Sequence, residues 1–202
     1  ALPTKMYDWE QSVYGGAEEL IAEDIPRAYG KPVVMTTFVD ANLYHDLVTG
    51  CSVTGILHLF NRTIIDWFSK KQATVEMATY GSEFVAARTA MEQIIDLRIQ
   101  LRYLGVTVKG STMMFGDNES MVNSASIPHA RLHKRHTALS FHRVREGIAA
   151  GIAKFHHVRS ETNPADILSK QWGYKQSWPM LQALLFWDGD TMDLEGGNDE
   201  PP

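Results

Sequence analysis

Four acidic residues stand where an apolar segment has just ended or a helix is about to begin. They are Asp40 after "PVVMTTFV", Glu83 in "GSEFVAARTA", Asp117 after "MMFG", and Asp166 in "NPADILSK". Each alone has an ordinary explanation, because Asp forms turns and caps helices and acids suit the first helical turn. Glu83 is the hardest to dismiss. The apolar stripe of the segment that follows runs Ala87, Ala90, Ile94, Leu97, Leu101, and one turn further back it reaches Glu83. A carboxylate at the head of a core-facing stripe is unfavourable unless something pairs with it. Gathered in one place, the four acids would repel one another unless cations lay between them. Magnesium suits such a site, being hard and oxygen-seeking, and Mn2+ could substitute. Two ions roughly 3.5–4 Å apart would activate a water and stabilise the leaving oxygen of a phosphodiester cleaved in line. Asn118 or Ser120 could cap the helix after "MMFGD", leaving Asp117 free for metal, and Gly116 would allow the close approach such a cluster needs.

The surrounding pattern says which elements would hold these positions. "PVVMTTFVDAN" is β-branched and apolar and predicts a strand ending near Asp40. "SVTGILHLFN" and "TIIDWFSK" predict two more, joined at Asn61-Arg62 by a tight hairpin. "GSEFVAARTAMEQIIDLRIQLRYLG" is the longest helical signal, and Gly105 supplies its stop. "GSTMMFGD" and "IAKFHHVRS" predict strands four and five, with the helices "NESMVNSA" and "HTALSFHRVREGIAAG" between them. "ETNPADILSKQWG" predicts a last, capped helix with Pro164 in its first turn. The order implies an α/β fold: a mixed five-stranded sheet, three antiparallel strands then two parallel, flanked by helices. Strands one and four would be neighbours, and their carboxyl ends are where such sheets gather ligands.

Several segments in this order resemble the ribonuclease H domain of copia-type (Pseudoviridae-like) retrotransposon Pol polyproteins, the reverse transcriptases of these elements. They are "FVDAN", "SVTG", "IDWFSKKQATVEMATYGSEFVA", "GDNESMV", "FHRVREGIAAG" and "NPADILSK", spread from about Met35 to Lys170. The resemblance implies a ribonuclease H-like fold and hydrolysis of the RNA strand of RNA–DNA hybrids during reverse transcription. It implies two magnesium ions held by Asp40, Glu83 and Asp117, with Asp166 as the fourth acid. It also implies two partners, the hybrid and an upstream reverse transcriptase domain of the same polyprotein. Cellular ribonucleases H carry a histidine on the loop between last strand and last helix. Here that loop is only "RSETNPA", and His156 and His157 fall within the strand. The alternative is a catalytically inactive, connection-like domain of a degenerate element that binds hybrid or polymerase without cutting. An integrase is disfavoured because its Glu lies on a late helix.

The 202-residue chain is 44% apolar, enough for one domain with flanking segments, and carries a net charge of −5. Its acids crowd the ends, however. Between Pro32 and Trp187 there are 16 basic against 12 acidic residues, a net of +4, which permits a phosphate-bearing partner. Arg131, His133, Lys134, Arg135, His136, Arg143 and Arg145 form the most basic region. Of these Lys134, Arg135, His136 and Arg143 are the substrate-binding candidates, beside Lys70 and Lys71, since backbone phosphates need countercharge. Asn118 and Ser120 are candidates for contact with the sugar, because a ribonuclease must read the 2′-hydroxyl. His129, His133 and His136 have no cysteines with them and lie in a polar loop, so zinc is not expected. Trp67 and Phe68 read as packing residues.

The expected organisation is a connector or N-terminal extension over 1–31 with one short helix in "GAEELIAEDI", and the domain over 32–175. A helical extension over 176–187 and an acidic disordered tail over 188–202 would follow. No apolar run reaches membrane-spanning length, and the single Cys51 leaves no internal disulfide partner. The expectation is a soluble intracellular piece of a longer polypeptide, in the cytoplasm, virus-like particles or the nucleus.

Overall fold

The positions of the acids are decided by how the strands pair. In a computed structural model, which describes residues 9–46, 48–132 and 135–185, Met35–Asn42 (β1) runs antiparallel to Val53–Phe60 (β2). β2 in turn pairs antiparallel with Thr63–Lys71 (β3) through a two-residue turn at Asn61 and Arg62. Thr112–Gly116 (β4) lies parallel to β1, and Ala153–His157 (β5) parallel to β4. The sheet order is β3-β2-β1-β4-β5, the mixed five-stranded sheet that the sequence predicts. Because β1 and β4 are parallel neighbours, with Phe38 opposite Phe115, their carboxyl ends lie side by side.

Thr79–Tyr103 (α2), preceded by the short Gln11–Tyr14 (α1), covers one face of the sheet. Its buried residues Phe84, Ala87, Ala90, Met91 and Ile94 pack against Met35, Val39, Ile56 and Met114 of the strands. Glu119–Ser126 (α3) and Ala138–Ala149 (α4) complete that layer with Met121, Phe141 and Val144. The expected stripe on α2 shifts slightly, leaving Leu97 half-buried and Arg98 buried. The Arg98 guanidinium is satisfied by Glu19 at 2.6 and 2.9 Å, by the Gly110 carbonyl at 2.9 Å and by Thr112 Oγ1.

That bond explains a difference from the sequence reading. The helix expected in "GAEELIAEDI" does not form; among the described residues the only helix near it is α1. Glu19 instead serves Arg98 and Arg102, and its carboxyl is held down to about 2 by these guanidinium groups against the opposing effect of burial. A tertiary ion pair outweighs a modest local helix propensity. Residues 9–31 therefore contribute to the packing of the domain, since Trp9 and Tyr14 are buried as well.

The last helix also differs. "ETNPADILSKQWG" yields a 3-10 turn at Ser160–Thr162 and only four helical residues, Asp166–Ser169 (α5). Asn163 is the cause: its side-chain amide donates to the Val39 carbonyl at 3.0 Å and its oxygen accepts from the Ala165 N–H at 3.2 Å. The segment is pinned to β1 and turns away again at Lys170, whose backbone is extended. Gly55 makes this approach possible, because a Cβ there would lie 2.5 Å from the Ala165 carbonyl oxygen.

The chain divides into two compact units after Lys170. In the second, Tyr174–Leu185 (α6) contains Pro179, and the rings of Tyr174 and Trp178 stack at 5.7 Å. The tail expected over 188–202 lies outside the described residues. No helix among the described residues is long and apolar enough to cross a membrane.

Candidate active site

Asp40 sits near the end of β1, Glu83 one turn into α2, and Asp117 directly after β4. The paired carboxyl ends of the strands bring the two aspartates together, and α2 begins beside them. Each of the three offers a carboxylate oxygen, and these oxygens all lie within 4.8 Å of one another. Asp40 is 1% and Glu83 4% exposed, so Glu83 does not turn to solvent. Gly116 sits tightly behind the cluster: a Cβ there would be 3.1 Å from the Phe155 ring.

Asp166, at the start of α5, is buried as well, and Lys170 stands next to it. The Lys170 Nζ lies 2.7 Å from Asp166 Oδ1 and 3.7 Å from Asp40 Oδ1. Ser169 donates a short hydrogen bond to Asp40 Oδ2. Asp40, Glu83 and Asp117 open onto a cleft of about 530 Å³ whose walls include Asn42, Thr79, Asn118 and Lys170.

The electrostatics are those of carboxylates crowded out of water. Burial, then the charges of Asp166 and Asp117, push the Asp40 carboxyl up to about 7, although Ser169 and Lys170 pull it down. Burial, then Asp40 and Asp117, raise Glu83 well above the ordinary range. Burial works against the Lys170 ammonium, but the bond to Asp166 and the neighbouring charges of Asp40, Asp166 and Asp117 outweigh it and raise its pKa. Glu83 Oε2 is buried with no hydrogen-bond partner among the described residues. A buried, partnerless carboxylate oxygen beside two more is a donor set that fits a hard divalent cation, which supplies the missing charge.

The other candidates fall at varied distances from this centre. Asn118 caps α3 through its side-chain oxygen, which accepts from the Met121 N–H at 3.0 Å, and it also lines the cleft. Ser120 is exposed on the first turn of α3. Lys70 is exposed at the end of β3, whereas the Lys71 ammonium is paired with Asp46 at 2.5 Å. Arg135 is exposed; His136 Nε2 lies 3.2 Å from Glu76, and Arg143 pairs with Glu146 at 2.8 Å. Lys134 and His133 lie outside the described residues. Arg145 leaves the basic surface altogether. It is buried, donates to the carbonyls of Ser124, Ile127 and Pro128 and to the Tyr14 hydroxyl, and is enclosed by the rings of Trp9, Tyr14 and Phe141.

Three features of the site escaped the sequence reading. Ser169 and Lys170 hold Asp40 and Asp166. His157, the last residue of β5, donates from Nε2 to the Asp117 carbonyl at 3.1 Å. The signal for Lys170 was present, because Asp166 and Lys170 are four residues apart and such pairs share one helical face.

No family model matches the chain. It is 29% identical over 143 residues, 70% of its length, to the retrovirus-related Pol polyprotein from transposon TNT 1-94 of Nicotiana tabacum. The chain spans about a tenth of the length of the curated relatives it matches. Among solved structures, the N-terminal RNase H domain of a Mycobacterium tuberculosis protein is 12% identical, with a TM-score of 0.51 covering 75% of this chain and 98% of that one. LC11-RNase H1, solved in complex with an RNA/DNA hybrid, is 16% identical, with a TM-score of 0.53 covering 67% and 93%. The fold is ribonuclease H-like, and over 70% of its length the chain matches retrotransposon Pol polyproteins, as its motifs imply.

Proposed function

We propose that the chain is the ribonuclease H domain of a copia-type retrotransposon polyprotein and hydrolyses the RNA strand of RNA–DNA hybrids. One observation carries the reading: three buried or half-buried carboxylates from β1, α2 and the end of β4 converge within 4.8 Å, an arrangement that a bound cation relieves of its mutual repulsion. Two magnesium ions, or manganese in their place, would supply the charge that activates a water and stabilises the leaving oxygen of in-line hydrolysis. Such attack leaves a 3′-hydroxyl and a 5′-phosphate.

The chain's own residues prepare that chemistry. Asp40, Glu83 and Asp117 would hold the ions, with Asp166 as a fourth ligand. Ser169 fixes one oxygen of Asp40, and Asn163 fixes the turn that carries Asp166 and Ser169. Asn42, Thr79 and Asn118 line the cleft where the scissile strand would lie. The exposed Lys70, Arg135 and His136, together with Lys134, would meet backbone phosphates, and Lys71 and Arg143 would do so on release from their ion pairs. A hybrid-bound relative of the same fold supports this substrate class. The match to retrotransposon Pol polyproteins is consistent with an upstream reverse transcriptase domain of the same polyprotein as partner, and action during reverse transcription inside the cell belongs to the same proposal.

The test is end-labelled RNA in an RNA–DNA hybrid, incubated with Mg2+ beside the same sequence as an RNA duplex and as a DNA duplex. Wild type should cut only the hybrid's RNA and stop in EDTA, and Asp117→Asn should lose at least about 10²-fold in rate, the scale of removing one catalytic electrostatic group. Cutting that persists undiminished in Asp117→Asn means that these acids are not the centre. Hybrid binding without cutting by the wild type favours a non-catalytic domain.

A further inference from the structure

The fourth acid neighbours Asp40 but is not among the three whose oxygens converge. Asp40, Glu83 and Asp117 converge, whereas Asp166 is held by an ammonium that the domain itself provides. Lys170 Nζ is 2.7 Å from Asp166 and 3.7 Å from Asp40, and so sits between the three-acid centre and the fourth acid. The Lys170 side chain is 30% exposed and lines the open cleft, while those of Asp40 and Asp166 are 1% and 5% exposed. The carboxylates are buried; the cation between them has a path to water.

Carboxylates removed from water stay ionised only beside a compensating charge, whether or not a metal is bound. An ammonium supplies one charge on a flexible four-carbon stem, and a divalent ion supplies two and takes the same oxygens. Both cannot own them together.

We propose that Lys170 is the built-in counter-cation of the metal-free acid cluster and competes with a divalent ion for Asp166 and Asp40. Asp166 then joins the other acids only after the ammonium has swung toward solvent. The inference rests on the metal-binding reading of the cluster, and it makes Lys170 a positioning residue. Removing its charge has two opposite consequences: the empty cluster loses its compensation, and the ion loses its competitor.

Mn2+ titrated calorimetrically into metal-free protein reads this without any activity assay, with Lys170→Met, Lys170→Arg and Asp117→Asn beside the wild type. Lys170→Met should bind Mn2+ at least about tenfold more tightly, since a like charge a few ångströms away has gone. Lys170→Arg, which keeps the charge, should bind no more tightly than wild type. In EDTA, Lys170→Met should melt below wild type and gain more on adding Mn2+. Should Lys170→Met be unfolded without metal, Mn2+ must restore the wild-type circular dichroism spectrum, and a chain that stays unfolded overturns the proposal. A folded Lys170→Met that binds Mn2+ no more tightly than wild type overturns it too. In both cases the metal reading survives as long as wild type binds Mn2+ and Asp117→Asn binds it far less. Wild type that binds no Mn2+ overturns both.

Discussion

Asp40→Asn should make the metal-free domain more stable at pH 8, and the gain should shrink as the pH falls toward 5. Asp40 is 1% exposed, and its carboxyl is pushed from an ordinary 3.8 up to about 7, first by burial and then by Asp166 and Asp117. That rise is roughly three units, so at about 1.4 kcal/mol per unit an ionised Asp40 opposes folding by about 4 kcal/mol above pH 7. Between the two pKa values the folded chain holds more protons than the unfolded one, so stability falls as the pH rises. About 2–3 kcal/mol of the loss develops between pH 5 and pH 8. Glu83 is raised by burial and then by Asp40 and Asp117, so the measured curve belongs to the pair. His58 acts the other way. Its burial lowers its pKa, and its contribution is lost as the pH drops below the ordinary 6.5. Urea unfolding of wild type and variant in EDTA, at each pH from 5 to 8, removes that shared background by difference. A difference that stays flat, or grows toward pH 5, refutes the reasoning.

Two further substitutions probe the frame around the site. Arg145→Met should destabilise the domain by about 3–5 kcal/mol in urea unfolding, because the Ser124, Ile127 and Pro128 carbonyls lose a buried charged donor. Its hybrid affinity at a pH and temperature where it remains folded should match wild type, and a phosphate contact would instead flatten the salt dependence of binding. Gly55→Val should displace α5 from β2, since even a Cβ meets the Ala165 carbonyl at 2.5 Å. Hydrogen exchange over 163–170 should then rise while exchange in α2 stays close to wild type.

Much of the fold was legible because its signals are local or cumulative. Twenty-five residues of α2 repeat one helical period, and the strands are short apolar β-branched runs with turn signals between them. The misreadings fall where a single long-range bond decides the backbone. Glu19 is drawn out of a helical pattern by Arg98, 79 residues away, and Asn163 cuts α5 short by binding the Val39 carbonyl 124 residues away. Arg145 failed for a related reason. In sequence it belongs to a basic surface run, and only folding shows that three carbonyls and three aromatic rings surround it. No periodicity or propensity carries such information, because the partner residues have no fixed spacing from one another.

The acids show where sequence reasoning was strongest. Glu83 was conspicuous because it broke an otherwise consistent rule, a charge on a buried stripe, and breaks of that kind concentrate at functional sites. Asp40 and Asp117 became informative once parallel pairing of strands one and four was expected, since the pairing alone puts their ends together. The structure buries Asp166 and pairs it with Lys170, which lies 3.7 Å from Asp40, and that lysine was overlooked. In sequence an acid points to a metal and a basic residue to a phosphate, and an ammonium inside the acid cluster fits neither pattern. Yet the physics favours it. Buried carboxyls such as Asp40 and Asp166 must find either a proton or a positive charge in every state of the protein, including those without metal, and a lysine four residues from the fourth acid is the shortest route to the charge.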